Sequence, residues 1–330
     1  MPRLLAVTGS VADWGWLEPV LRSVLSDVSV VVANIGQFRI PAEERPGDVY
    51  DLIEVARGDA RTMSEQFRDA AAALTLFLED IDERFDGAVV LGDRVEILAA
   101  AGVLVSTRVP IHHLFAGDMS GCLDDSFRDS ISMLSTHLYG ASIGGYKRCR
   151  SIMKVRGSYS MRSVSHVKFP FDVDYSIYAK LGISPGEYAV ARFHPETSVR
   201  EPVNRWIAQT VRQAAGDDIT LLAFPPNRDT GWAKIIDAWA EAVVRFATHN
   251  PKVLAMDDPI TRPEYLALLE GASWITGNSS SFVLEAPLVN NSRVRLYGNR
   301  QRGRSPVDDV GAPDVAGELI YNLRQDKAGG

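Results

Sequence analysis

Residues 87–104 read GAVVLGDRVEILAAAGVL. An apolar run from Ala88 to Leu91 ends at Gly92-Asp93, and a helical pattern opens at once with Arg94 and Glu96. A strand that turns directly into a helix is half of a βαβ unit, so the question is whether the unit recurs. It does on both sides. N-terminally, RLLAVTGS is a strand, and DWGWLEPVLRSVL is a helix with Trp14, Leu17, Leu21, Val24 and Leu25 at helical spacing. DVSVVVANIG is the next strand and RTMSEQFRDAAAALTLFLEDIDERF a long helix. C-terminally, VPIHHLFAGD is a strand and loop. Leu123, Phe127, Ile131, Leu134 and Leu138 then fall at steps of three and four, which predicts an amphipathic helix over 122–139.

The plan repeats in the second half. EYAVARFHP, ITLLAFPPN, KVLAMDD and SWITGN read as strands, separated by the helical patterns VNRWIAQTVRQAA, WAKIIDAWAEAVVRFATH and RPEYLALLEGA. Periodicity breaks in RGSYSMRSVSHVKFPFDVDYS, so the domain join is expected there. The fold class is α/β: two Rossmann-like, doubly wound domains facing a cleft, with parallel sheets covered by helices. The expected division is 1–165 for the domain carrying the acidic cluster, 166–310 for a nucleotide-binding domain, and 311–330 for a C-terminal helix and tail.

A chain of 330 residues suits two domains, or one large α/β unit. Its apolar fraction of 46% and charged fraction of 23% are those of an ordinary globular protein. A net charge of −7 argues against a nucleic-acid surface. No apolar run reaches the length of a membrane span, and the N-terminus reads as a first strand, so no membrane partner and a cytoplasmic location are expected. Cys122 and Cys149 lack metal-type or CxxC spacing and read as reduced thiols. The histidines form no HExxH pattern, and no metal is expected.

Candidate chemistry gathers at strand ends, where ligands bind in open α/β sheets. Asp93 and Arg94 close one strand, with Glu96 opening the next helix. HHLFAGDMSGCLDDSFRDS adds His112, His113, Asp118, Asp124, Asp125 and Arg128. Asp125 and Arg128 share a helix face, as an ion pair or as part of a site. Neighbouring carboxylates can have their pKa values pushed apart into an acid and a base. His194 in ARFHPET stands at another strand end, as a proton carrier, a phosphate contact or a structural histidine. WITGNSSSFVLEAPLV, residues 274–289, puts Gly277, Asn278 and the serines 279–281 ahead of a helical pattern containing Glu285. Three serines at a helix start make either a plain N-cap or an anion site built from free N–H groups, hydroxyls and the helix dipole. Glu285 is then placed for ribose hydroxyls or is a solvated helix residue. Arg300, Arg302 and Arg304 in NRQRGR face a phosphate or lie in a solvated loop.

Together these segments resemble the bacterial UDP-N-acetylglucosamine 2-epimerases, most closely the hydrolysing branch of sialic and legionaminic acid pathways. The resemblance rests on TGSVADWGWLEPVLRSV (8–24), VVLGDRVEILAAA (89–101) and IHHLFAGDMSGCLDDSFRDSISMLS (111–135). It continues through RFHPET (192–197), PPNRDTG (225–231), YLALLEGASWITGNSSSFVLEAP (265–287) and GNRQRGR (298–304). It implies the GT-B type of fold. Asp93, Asp118 and Asp125 would be catalytic carboxylates and His194 a motif histidine. Arg128 would contact substrate, Ser279 and Ser280 would hold the diphosphate, and Glu285 the ribose. Gly277, Asn278, His113, Asn227 and Arg302 complete the expected substrate-binding set. No metal or redox cofactor is implied. The chemistry implied is removal of the C2 proton, elimination of UDP to a 2-acetamidoglucal, and hydration with inversion at C2.

The sequence departs from the family's pattern at several points. Val11 stands where the first loop normally has arginine, and Trp14 where it has tyrosine. FAGD replaces H-G-G-E, so Phe115 stands for histidine, Ala116 for glycine and Asp118 for glutamate. Val11, Phe115 and Trp14 suggest an apolar wall, and with it a sugar carrying fewer hydroxyls than N-acetylglucosamine. The expected function is a hydrolysing NDP-sugar 2-epimerase. The alternatives are a nucleotide-sugar hydrolase or glycosyltransferase on the same scaffold, or a non-catalytic nucleotide-sugar binder. The expected partners are a nucleotide sugar and further copies of the chain, as a dimer or tetramer.

Overall fold

The structure, a computed structural model, describes residues 1–36, 38–53, 62–82, 84–156, 161–195, 203–226, 231–247, 251–256, 260–298, 301, 303–307 and 311–329. The chain divides into two compact units. The first comprises 1–119, 123–170 and 308–330, and the second 120–122 and 171–307.

The first unit runs β1 (Arg3–Thr8), α1 (Val11–Val24), β2 (Ser29–Asn34), β3 (Asp48–Asp51), α2 (Met63–Asp80), β4 (Gly87–Leu91), α3 (Val95–Ser106) and β5 (Ile111–Leu114). It continues through α4 (Asp124–Leu134), β6 (His137–Gly140), α5 (Ile143–Arg156) and β7 (Ser163–His166). Its sheet has the order β3-β2-β1-β4-β5-β6-β7, and each pairing is parallel. Chain order therefore reverses between β1 and β4, the switch point at which open α/β sheets bind ligands. Leu5, Val7, Ala88 and Val90 pack under Ile97, Ala100, Ala101 and Leu104 of α3, which is why the apolar run of 87–104 reads as it does.

The second unit runs α6 (Ser176–Leu181), β8 (Tyr188–Arg192), α7 (Val203–Gly216), β9 (Thr220–Phe224), α8 (Trp232–Arg245), β10 (Val253–Ala255), α9 (Arg262–Gly271), β11 (Ile275–Gly277), α10 (Ser281–Leu284) and β12 (Val294–Leu296). Its parallel sheet, β10-β9-β8-β11-β12, reverses between β8 and β11. Leu222, Tyr188 and Ile275 face α9 on one side, while Ala189, Ala191 and Leu221 face α7 and α8 on the other.

A last helix, α11 (Val315–Gly329), belongs to the first unit and packs on α1. Sequence reading set it apart as a tail. Its contacts make it a working part of that unit: Leu319 and Leu323 are fully buried. Asn322 Nδ2 donates to the Tyr139 hydroxyl at 2.9 Å.

The helix expected over 122–139 is also corrected. It runs only from Asp124 to Leu134, and residues 137–140 are strand β6. Leu138 fits the helical spacing but is buried in the sheet, paired with His113 and Val164. Among the described residues, no helix is long and apolar enough to cross a membrane.

Candidate functional site

At the switch point of the first sheet, β1 ends in Gly9-Ser10 and β4 in Gly92-Asp93. Gly92 takes φ +86°, which favours glycine, and a Cβ there would lie 3.3 Å from Asp13 Oδ1. The turn aims Asp93 at Arg128 on α4. Arg128 is 1% exposed, and it carries the centre of this group. Its Nη2 pairs with Asp93 Oδ2. Its Nη1 donates to Asp125 Oδ1 at 3.0 Å and to the Asp118 carbonyl at 2.9 Å. A planar fork engaging two carboxylates and a carbonyl fixes all three residues in one geometry. Three of the sequence candidates, Asp93, Asp125 and Arg128, thus meet directly, and Asp118 joins through its backbone while its side chain is 7% exposed.

His113 has a different place from the one its sequence position suggests. It is fully buried. Nε2 donates to the Gly92 carbonyl at 2.8 Å and Nδ1 meets the Ser132 hydroxyl at 3.0 Å, so both nitrogens are occupied in supporting the turn that carries Asp93. Burial holds its pKa down at about 4, and it stays neutral.

Asp13 was not singled out from the sequence. Ser10 caps α1, accepting from the Asp13 N–H at 3.1 Å and donating its hydroxyl to Asp13 Oδ2 at 2.8 Å. S-x-x-D is a helix-start signature, which gives the carboxyl an ordinary structural explanation. Burial pushes Asp13 up to about 6, against the pull of Arg94, the Ser10 hydroxyl and Arg128, with Glu96 adding to the rise.

Phe115 and Trp14 do not form a wall of the site. Phe115 packs edge-on to Trp16 at 4.8 Å and against Phe169 at 4.5 Å, and is 4% exposed. Trp14 is 3% exposed, with its indole N–H on Glu44 at 2.8 Å. Both substitutions fill the core. Val11, in the first turn of α1, is exposed.

At the switch point of the second sheet, Asn278 follows β11 and His194 follows β8. The Asn278 side chain accepts from the His194 N–H at 2.6 Å and donates to the His194 carbonyl at 2.9 Å, clamping the two strand ends together. Gly277 has φ +146°, and a Cβ there would lie 1.9 Å from the Arg192 carbonyl. Gly277→Ala is expected to cost about 3–5 kcal/mol from strain and overpacking, read by urea denaturation; a loss under about 1 kcal/mol would mean that the strand ends can shift apart.

The helix after the serines is only four residues long, so the sequence expectation of a longer helix and its dipole is not met. Ser279 Oγ bonds Ser281 Oγ at 2.9 Å, and Ser281 bonds the Tyr265 hydroxyl at 2.8 Å. Ser280 is the N-cap residue; its hydroxyl makes no hydrogen bond among the described residues. Glu285 ends the helix, with Oε1 on Arg262 Nε at 2.7 Å. Asn227, Arg300 and Arg302 lie outside the described residues.

Elsewhere, His112, His137 and Asp326 are close enough to share an ion. The two rings stack 4.6 Å apart and 16° from parallel, and both Nε2 atoms meet Asp326 Oδ2, at 3.2 and 3.1 Å. Arg162 also holds Asp326, at 2.6 Å. The group reads as an ion-paired clasp on α11.

Residues 52–321 match the family model described as UDP-N-acetylglucosamine 2-epimerase. The chain is 25% identical to a UDP-N,N'-diacetylbacillosamine 2-epimerase (hydrolyzing) of Legionella pneumophila, over 96% of this chain and 86% of the relative. It is 27% identical to a UDP-N-acetylglucosamine 2-epimerase of Neisseria meningitidis, over 98% and 87%. Among solved structures it superposes on a UDP-GlcNAc 2-epimerase of Methanocaldococcus jannaschii with a TM-score of 0.69 and 15% identity, over 98% of this chain and 99% of that one. That likeness is one of fold: two Rossmann-like domains of GT-B type.

Proposed function

Because the chain belongs to the UDP-N-acetylglucosamine 2-epimerase family, we propose that it is a hydrolysing 2-epimerase, converting a UDP-linked 2-acetamido sugar to UDP and the free C2-inverted sugar. The observation that carries this reading is the Asp93–Arg128–Asp125 group at the switch point of the first sheet. Removal of a proton from C2 needs a fixed carboxylate base, and we assign that role to Asp93. As the C2–H bond breaks, its electrons form C1=C2 and the C1–O bond breaks to release UDP. Water then adds across the glycal, oxygen at C1 and hydrogen at C2.

In the second unit, the unengaged Ser280 hydroxyl suits a diphosphate oxygen, and Glu285 keeps Oε2 for a ribose hydroxyl while Arg262 holds Oε1. His194 is the candidate phosphate contact or proton carrier. The apolar-wall reason for expecting a less hydroxylated sugar falls with Phe115 and Trp14 in the core. The diacetamido sugar in the Legionella relative's name gives an independent reason to test one beside N-acetylglucosamine.

The test is a panel of nucleotide sugars followed by proton NMR in deuterated water. The expected product carries deuterium at C2 and the inverted configuration; a product that retains hydrogen there would replace this reading with plain hydrolysis. Asp93→Asn keeps the shape and removes the base, and is expected to lower kcat by at least about 100-fold, the usual size of a general-base contribution. UDP release at the wild-type rate would remove Asp93 from the reaction.

A further inference from the structure

Asp13 lies in the first turn of α1, just after β1, beside Gly92 of the β4 turn, with its two oxygens in different situations. Oδ2 is anchored by the Ser10 hydroxyl at 2.8 Å. Oδ1 has no hydrogen-bond partner among the described residues and lies against the Gly92 backbone, the residue before Asp93. The charged groups acting on it are Arg94 and Glu96 at the start of α3 and Arg128 of α4. Glu96 is itself 5% exposed; its Oε1 pairs with Arg94, while its Oε2 is buried with no hydrogen-bond partner, so a second carboxylate lies close to Asp13. Arg94 is turned to Glu96 and Arg128 to Asp93 and Asp125, so each cation faces another carboxylate. The arrangement pairs one carboxylate, Asp93, with a guanidinium, and gives the other, Asp13, a hydroxyl as its side-chain partner. Two such groups with opposed environments form an acid–base pair.

We infer that Asp13 is the acid that delivers the proton to C2 of the glycal in the hydration half of the reaction. The inference rests on the 2-epimerase reading and adds a residue and a step to it. The Asp13 O–H bond breaks and its proton joins C2. The C1=C2 electrons form the new C–H bond, and C1 takes the oxygen of water. The proton lost by that water goes to a carboxylate of the Arg128 group, and Asp13 regains a proton from solvent. Because burial keeps Asp13 protonated up to about pH 6, the acid form is the one present in mildly acidic solution.

The test follows wild type, Asp13→Asn and Asp13→Glu by NMR, first with the nucleotide sugar and then with 2-acetamidoglucal supplied directly. Asp13→Asn is expected to slow hydration of the glycal by about 100-fold and let glycal accumulate behind UDP release, with Asp13→Glu recovering part of the rate. Wild-type hydration is expected to fall as pH rises through about 6, and Asp13→Asn to lose that dependence. A purely structural aspartate would change neither. Equal hydration rates and the same pH profile in wild type and Asp13→Asn would overturn the inference while leaving the 2-epimerase reading intact. Absence of UDP release and glycal from every nucleotide sugar with wild type would remove that reading and this role with it. Should Asp13→Asn fail to fold, a carbon-13 titration of the wild-type carboxyl decides: an ordinary aspartate value overturns the inference.

Discussion

Arg128→Met is expected to abolish turnover and to lower stability by about 3–5 kcal/mol, the usual cost of removing one partner from a buried ion pair. The guanidinium is 1% exposed and holds Asp93, Asp125 and the Asp118 carbonyl. Methionine matches the stem of the side chain but removes the cation that the two carboxylates share, and their mutual repulsion should raise the pKa of one of them. The double variant Arg128→Met with Asp125→Asn relieves part of that repulsion, so it is expected to regain stability but not activity. Urea denaturation together with UDP-release kinetics checks both statements. A stable, active Arg128→Met enzyme would show that the carboxylates do not need their shared cation.

The second large effect lies in the clasp on α11. Asp326→Ala is expected to cost about 3–5 kcal/mol, because His112, His137 and Arg162 all converge on that carboxylate. Burial alone would raise the pKa of Asp326, but the close approach of His112 and the hydrogen bonds with His137 outweigh it and hold the carboxyl below the usual carboxylate range. His112, beside it, is pushed down to about 4, by burial above all, as is His113 under the Asp93 turn. A group with a lowered folded pKa takes up protons on unfolding. Its stabilisation is therefore present above the unfolded value and lost as pH falls through the folded one. For the two histidines that window runs from about 6.5 down to about 4, with a loss on the order of 3 kcal/mol each at its acid end. Denaturation midpoints measured across that range should fall steeply in wild type and less so in His112→Asn. A flat profile would mean that both histidines reach solvent.

The strand-to-helix turns were legible because each apolar run meets a helical pattern at a glycine or a polar cluster, as at Gly92-Asp93. Where two periods agree, the sequence is silent: Leu134 and Leu138 suit one helix face, and the polar pair Ser135-Thr136 between them is where the chain leaves the helix for β6. The elements α5 and β7 were missed for another reason. The helix is rich in basic residues, and β7 is an edge strand, SVSH, half-buried throughout, so the few apolar residues that pack inward, Cys149, Ile152, Met153 and Val164, make only a weak pattern in the sequence. In the candidate site, the grouping was readable in part, since Asp125 and Arg128 share a face of α4 and Asp93 ends a strand; their expected roles came only from the family resemblance. Asp13 was not, since a carboxylate three residues after a serine has an ordinary explanation as helix capping. Phe115 and Trp14 misled because a departure from a motif says that a side chain changed, and only packing says which way it faces.

The last helix also bears on how the chain is made. β1, α1 and α11 belong to one unit, and α11 is joined to the start of the chain by Lys327 on the Met1 carbonyl at 3.1 Å and by Arg324 on Asp27 at 2.7 Å. Synthesis proceeds from one end, so β1 to β7 emerge long before the helix that covers them. The second unit, nearly continuous in sequence, can close while the first still exposes the His112–His137 pair and the apolar surface that Leu319 and Leu323 later cover. The half of the protein that begins first is thus the half that finishes last, and a ribosome stalled before residue 315 would present an unfinished sheet to whatever chaperone attends it.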